Sequence, residues 1–392
     1  MPLPNRVFLS WDRSLIVAAA DRLTAIGRKG KTWNLGNVTM IFPVVRGLHR
    51  FRAVMHQQAR DLGLQLTPPR LEMIGQLPEL LYKTDGELAG EFEQTLAWTR
   101  ALLQLPAAQR EELMSGSVPL EPLGPWFQMG GILRRMNEDL AADGHRPADV
   151  AAVVQSPALQ RRWALIAQAH QRYLEVLRTH GLGDPFRHRI DACEQKACRC
   201  SGHLILVGCV DIGKLTAEML LATTGGEIEC WIGAPEQYAD RFDACGRVIP
   251  HRWCEESIEV DDRTLISVDD VVAQSAAAVE KIQVWTESGA QERVTIGLTD
   301  EGFAPYLETD LLLIGRSCHV TAGQRFLDTP AGRLLTLIHD FILHHTWQSF
   351  SALIRHADVV ACFFPGRTLE VLKALDTFHA SHFPDRIDDP LP

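Results

Sequence analysis

The chain has 392 residues, 46% of them hydrophobic and 22% charged, which excludes a disordered or fibrous protein and leaves room for two or more folded domains. The longest apolar runs fall well short of the roughly 18 residues a membrane helix needs. A net charge of −10 argues against a chain that coats nucleic acid over its whole surface.

The charge is unevenly placed. Residues 1–71 hold eleven Lys/Arg against three Asp/Glu, a local balance of +8, which leaves −18 for the rest. A basic first segment on an acidic body can grip a phosphate backbone locally, or be a chance asymmetry. The N-terminal stretch has a three-residue apolar run and no small-residue cleavage site, so no signal peptide is expected and the cytoplasm is the expected compartment. Nine cysteines, an odd number, sit in predicted strands and loops and suit reduced thiols.

In chain order, residues 6–10 predict a strand and 13–26 a helix, with Leu15, Ile16, Ala19, Leu23 and Ile26 at helical spacing. A glycine-containing loop, 27–36, leads to a strand over 38–42 that Pro43 ends. A basic helix over 46–62 follows, closed by Gly63. Strand–helix–strand–helix predicts a parallel α/β sheet. Residues 77–189 read as almost wholly helical, with amphipathic stretches at 91–105, 125–143 and 158–180 that predict an insertion. Strands return at 203–207 and 228–232, around a helix at 214–222. A second α/β series is expected from strands at 265–268 and 294–298 and a helix at 270–285, and a helical tail over 332–378.

The tempting motifs weigh little. Gly30-Lys31-Thr32 resembles the end of a phosphate-binding loop, but Ala25 stands where the first glycine belongs, and a helix precedes it where a strand should. Cys193, Cys198, Cys200 and His203 are zinc-capable types in an unsuitable spacing, better read as free thiols in a loop. His339, His344 and His345 share one predicted helix without metalloprotease spacing. No nucleophile elbow or dinucleotide fingerprint is present.

A set of motifs points to a family. Residues 68–82, PPRLEMIGQLPELLY, resemble the signature near the start of the B subunits of bacterial AddAB-type helicase–nucleases. FLSWDR at 8–13 and FPVVRG at 42–47 are similar to that family's first two strand ends. LAADG at 140–144, QRYL at 171–174, LVG at 206–208, VD at 210–211, APE at 234–236 and ADRFD at 239–243 keep its order, as do 323–335 and FSALIRHAD at 350–358.

The resemblance implies an α/β fold of superfamily-one helicase-like (RecA-like) parallel sheets with a large helical insertion. It divides the chain into a first domain over 1–82 and 196–262, the insertion over 83–195, and the start of a second domain over 263–392. It also implies that the strand ending at Phe42 lies in one sheet with the strand at 203–207. The nucleotide site is expected to be degenerate. Trp11, Asp12 and Arg13 stand where a working engine carries its Gly-Lys-Thr loop, and Gly208-Cys209 where it carries Asp-Glu for Mg²⁺ and water. The family's PD-(D/E)XK nuclease domain, which uses Mg²⁺ and often an iron–sulfur cluster, is not expected here, since Asp385, Asp388 and Asp389 are followed by no D/E-x-K. No catalytic residue, metal site or cofactor is expected in this chain.

The implied role is non-catalytic DNA handling and scaffolding in double-strand-break repair and recombination. The implied partners are single-stranded or broken-end DNA, held at Arg46, His49, Arg50 and Arg52, and the motor A subunit, with no membrane. Two alternatives stay open: a subunit of an active ATP-dependent helicase/exonuclease, and a protein-interaction module that touches no DNA.

Overall fold

The computed structural model describes residues 3–84, 86–114, 116–117, 119–254, 257, 261–287, 294–320, 323 and 325–387. The chain divides into two compact units, 1–258 and 259–392. Among the described residues no helix is long and apolar enough to cross a membrane.

The first unit is a mixed α/β structure on a parallel sheet of five strands: β1 (Asn5–Phe8), β2 (Val38–Phe42), β3 (Arg70–Met73), β4 (His203–Val207) and β5 (Glu227–Ile232). Their spatial order is β1-β5-β4-β2-β3 and every neighbouring pair is parallel. The implied pairing of β2 with β4 is present: Thr39 lies opposite Leu204, Met40 opposite Ile205 and Ile41 opposite Leu206, with roughly 160 residues between the two strands.

β2 and β4 are mostly apolar, with Met40–Phe42 and Leu204–Val207 unbroken, because both faces of a parallel sheet are covered. Met40, Phe42, Ile205 and Val207 pack on one face with Leu23 of α1 (Leu15–Leu23) and with Phe51 and Met55 of α2 (Val45–Asp61). Ile41, Leu204 and Leu206 face the other way, against Leu215, Met219 and Leu220, which follow one another at helix spacing.

Between β3 and β4 the chain forms the helical insertion. Its long helices, α3 (Glu91–Leu103), α4 (Gly124–Ala142) and α5 (Pro157–Thr179), lie within a residue or two of the expected bounds. They enclose Trp98, Trp126 and Tyr173. Gly130 lets α4 approach α3 closely: a Cβ there would sit 2.5 Å from Thr99 Oγ1 and 2.9 Å from the Thr95 carbonyl. At the base of the insertion, Glu87–Leu88 pairs parallel with Leu182–Gly183, so the insertion leaves and rejoins the unit side by side. Asp184 then caps α6 (Pro185–Glu194) by accepting the Phe186 and Arg187 amides at 3.3 Å each, and Tyr173 donates its hydroxyl to the same carboxylate at 3.1 Å.

The loop expected at 27–36 is instead a small hairpin. Arg28 pairs with Trp33 and Lys29 with Thr32, and Gly30 at φ 58° makes the turn. Gly30-Lys31-Thr32 is therefore a β-turn, and the apolar anchor of the hairpin is the buried Trp33, whose indole N–H donates to the Ile26 carbonyl at 3.0 Å.

The second unit departs from expectation. Residues 265–268 and 294–298 form no strand, so the expected second sheet is absent among the described residues. Apolar alternation creates a strand only where a neighbour completes the hydrogen-bond ladder. Here Leu265 and Ile266 stay more than half exposed. The unit is helical instead, with Val271–Glu287 and Ala304–Leu313 sharing a small core of Val279, Ile282, Leu307 and Leu311.

Candidate functional site at the carboxyl edge of the sheet

In parallel α/β sheets ligands bind outside the carboxyl ends of the strands. Here that edge carries the loops after β1, β2, β4 and β5. The loop after β1 leaves as a continuation of the sheet: the Leu9 amide donates to the Ile232 carbonyl at 2.8 Å and the Ser10 amide to the Ala234 carbonyl at 3.1 Å. Ser10 then turns left-handed, φ 56°, and its hydroxyl donates to Asp12 at 2.6 Å. Trp11 is thrown outward, 53% exposed, with its ring tilted onto Tyr238 at 5.1 Å. Arg13 pairs with Asp21 at 2.5 Å.

A phosphate loop needs open space between the strand end and the helix that follows. In this chain Leu15 occupies it. A Cβ on Gly208 would sit 2.7 Å from Leu15 Cδ2, and one on Gly233 would sit 3.3 Å from the same atom, so Leu15 lies over the ends of β4 and β5. Gly208 has φ 64° and turns the chain away. Cys209 is buried, and its thiol contacts the Ile41 carbonyl at 3.6 Å. Burial pushes that thiol up to about 12, and sulfur is in any case a poor donor for Mg²⁺, which takes oxygen ligands. Leu15 thus fills space at the ends of β4 and β5, and Gly208-Cys209 offers no side-chain oxygen.

α2 opens at the same edge. Its N-terminal turn meets the start of α1, since a Cβ on Gly47 would lie 3.9 Å from Ile16 Cδ1. Leu48, Phe51, Met55 and Ala59 face the core, which turns the basic residues outward. Arg46, His49, Arg50 and Arg52 are all exposed. Among the described residues none of the four makes a side-chain hydrogen bond or ion pair. At about 100° per residue Arg46, His49 and Arg50 fall within a stripe, whereas Arg52 lies about 120° round from Arg46, towards the buried side. His56 and Arg60 join the stripe further along. The sequence reading missed these two, although counting on by three and four from Arg46 reaches them. Arg60 is already engaged, donating to Gln57 at 2.7 Å. Val44 and Val45 beside the stripe are 57% and 55% exposed. The edge thus offers cations, an open indole and apolar surface.

The other sequence candidates lie elsewhere. Lys31 is exposed on the hairpin turn. All nine cysteines are free, and burial raises the thiols of Cys193, Cys198 and Cys200. His339 and His344 are exposed, and His345 ends their helix with its ring stacked on Phe341 at 5.7 Å. The Asp385 carbonyl accepts the Trp347 amide at 2.8 Å, and Asp388 and Asp389 lie outside the described residues. Residues able to hold an ion are at the opposite end of the sheet, at His203, Glu227 and Glu229. Compared with known proteins, the chain matches no family model and no curated protein.

Proposed function

We propose that this chain is a non-catalytic DNA-handling and scaffolding core of the AddAB B-subunit type, built on a helicase-like domain whose nucleotide site has been filled. The observation that carries the reading is the carboxyl edge itself. Leu15 and Cys209 take the place of phosphate and metal ligands, while the same edge carries the exposed Trp11 after β1 and, on α2, Arg46, His49 and Arg50, which have no side-chain partner among the described residues. Cations that track a backbone together with an open aromatic ring are what sequence-tolerant binding of single strands requires. The adjacency of β2 and β4 supports the helicase-like topology, because it joins strands the local pattern could not connect. The biological setting is processing of broken DNA ends in recombination, in company with a motor A subunit.

The test is anisotropy of a labelled single strand against salt. A grip of two or three phosphates gives a slope of about −1.5 to −2, from about −0.7 per phosphate. Arg46→Ala with Arg50→Ala should flatten that slope, and Trp11→Ala should weaken binding by about 1–3 kcal/mol at every salt concentration. ATP should not bind. A parent chain that ignores DNA at low salt sinks this reading. The protein-interaction alternative would then stand, favoured by the apolar helix surfaces of the second unit, where Ile342 and Leu343 are 62% and 61% exposed.

A further inference from the structure

The amino ends of β4 and β5 carry a cluster that the reading above does not use. Glu227 lies opposite His203 in the parallel register, so the two side chains leave the same face of the sheet, and Glu229 follows on that face two residues later. The imidazole and the two carboxylates each bring a ligand atom within 4.8 Å of the others. His203 Nε2 is 3.9 Å from Glu229 Oε1, too far for a hydrogen bond. That nitrogen is inaccessible to solvent and has no hydrogen-bond partner among the described residues. A buried ring nitrogen left without a partner normally costs stability, and an ion would satisfy it.

Glu229 is also prepared. Its side chain is 8% exposed, and its second oxygen accepts the Trp231 indole N–H at 2.5 Å. Fixing one carboxylate oxygen from behind aims the other, which is how outer groups orient metal ligands. Glu227 is exposed and leaves the cluster open to solvent on one side.

We propose that His203, Glu227 and Glu229 form a divalent-cation site, of the type that takes Zn²⁺ or a similar first-row ion. One imidazole with two carboxylates is a nitrogen–oxygen donor set that such ions accept. Zinc holds these donors at about 2.0–2.2 Å, so tetrahedral neighbours stand about 3.4 Å apart and the cluster needs to close by roughly an ångström. The site joins two neighbouring strands at the end of the sheet away from the DNA edge, so its role is to tie β4 to β5. The thiols of Cys193, Cys198 and Cys200, which share the local sequence with His203, take no part.

Titrating the metal-free full chain with Zn²⁺ by calorimetry should give one equivalent bound. Glu227→Gln, an exposed and nearly isosteric change, should weaken binding at least about tenfold, and His203→Ala should do the same. Circular dichroism of both variants without metal checks the fold, and Glu227→Gln alone decides the matter if His203→Ala does not fold. Co²⁺ provides a second readout. Visible bands of nitrogen–oxygen ligation without a thiolate-to-cobalt charge-transfer band fit the proposal, and a thiolate band overturns it. Absence of binding, or equal binding by parent and Glu227→Gln, overturns it as well.

Discussion

The two units of this chain use similar amphipathic helices and bury them very differently. In the first unit Trp33, Phe42, Phe51, Trp98, Trp126 and Trp231 are all essentially inaccessible to solvent. In the second, the compact core is Val279, Ile282, Leu307 and Leu311, while Leu313, Phe363 and Phe383 are 79%, 71% and 78% exposed. Periodicity is enough to specify a helix, but burial needs a second layer to pack against. The sheet supplies that layer for α1 and α2, and α5 supplies it for α3. The difference predicts that substitutions of equal size will have unequal effects.

The largest effect is expected at Trp98. Its ring is fully buried and stacks on Tyr173 at 4.5 Å with an 11° angle between planes. Trp98→Ala leaves a cavity that three rigid helices cannot close, and should cost about 3–5 kcal/mol. Urea unfolding followed by near-ultraviolet circular dichroism measures it. A cost below about 1 kcal/mol would show that the insertion is packed as loosely as the second unit.

The next effect depends on pH. His170 is buried beside Trp98 and Tyr173, with ring centroids at 5.6 and 5.9 Å, and burial lowers its imidazole from 6.5 to about 4, with Arg187 and Arg146 adding to the shift. The unfolded chain therefore binds this proton at a pH where the folded chain does not. Stability should be unaffected by this group above pH 6.5, fall by about 3 kcal/mol as pH drops from 6.5 to about 4, and fall no further below that. His170→Leu should remove this part of the slope. An unchanged slope in the variant would assign the acid sensitivity to other groups.

These contrasts also show what the sequence could reveal. The helices of the insertion were legible because Trp98, Ala101 and Leu102 on one, and Ile166, Tyr173 and Leu177 on another, repeat at helical spacing. β2 and β4 were legible as short, mostly apolar runs, and their pairing only through the resemblance, since no local pattern links Phe42 to His203. The hairpin at Arg28–Lys29 was hidden because its strands are two and three residues long and only Trp33 is buried. The strands expected at 265–268 and 294–298 failed for lack of a partner ladder, which composition does not report. At the edge, charge counting found Arg46 and Arg50, but nothing in the sequence announced that Leu15 would cover Gly208 and Gly233. The cluster of His203 with Glu229 was equally hidden, because it depends on strand register.

The smallest effect is expected at Leu343, on the helix Pro330–His344 of the second unit, where the side chain is 61% exposed. A residue that is already in water loses little when made polar, so Leu343→Ser should change stability by no more than about 0.5 kcal/mol, part of it from serine's poorer helix propensity. Residue 343 lies in the last turn of the helix, where its N–H still bonds back along the helix, and a leucine side chain caps no backbone group, so no cap is disturbed. The measurement is the unfolding midpoint of the second unit at several protein concentrations. A loss above about 2 kcal/mol would mean that Leu343 is covered in solution, because only a buried leucine carries that much transfer free energy. If the loss also vanished on dilution, the cover would be a second copy of the chain, since association between molecules weakens as concentration falls. A loss that persisted on dilution would place the cover within the same molecule, and the contrast between the two units would then be smaller than the exposure of Leu343 implies.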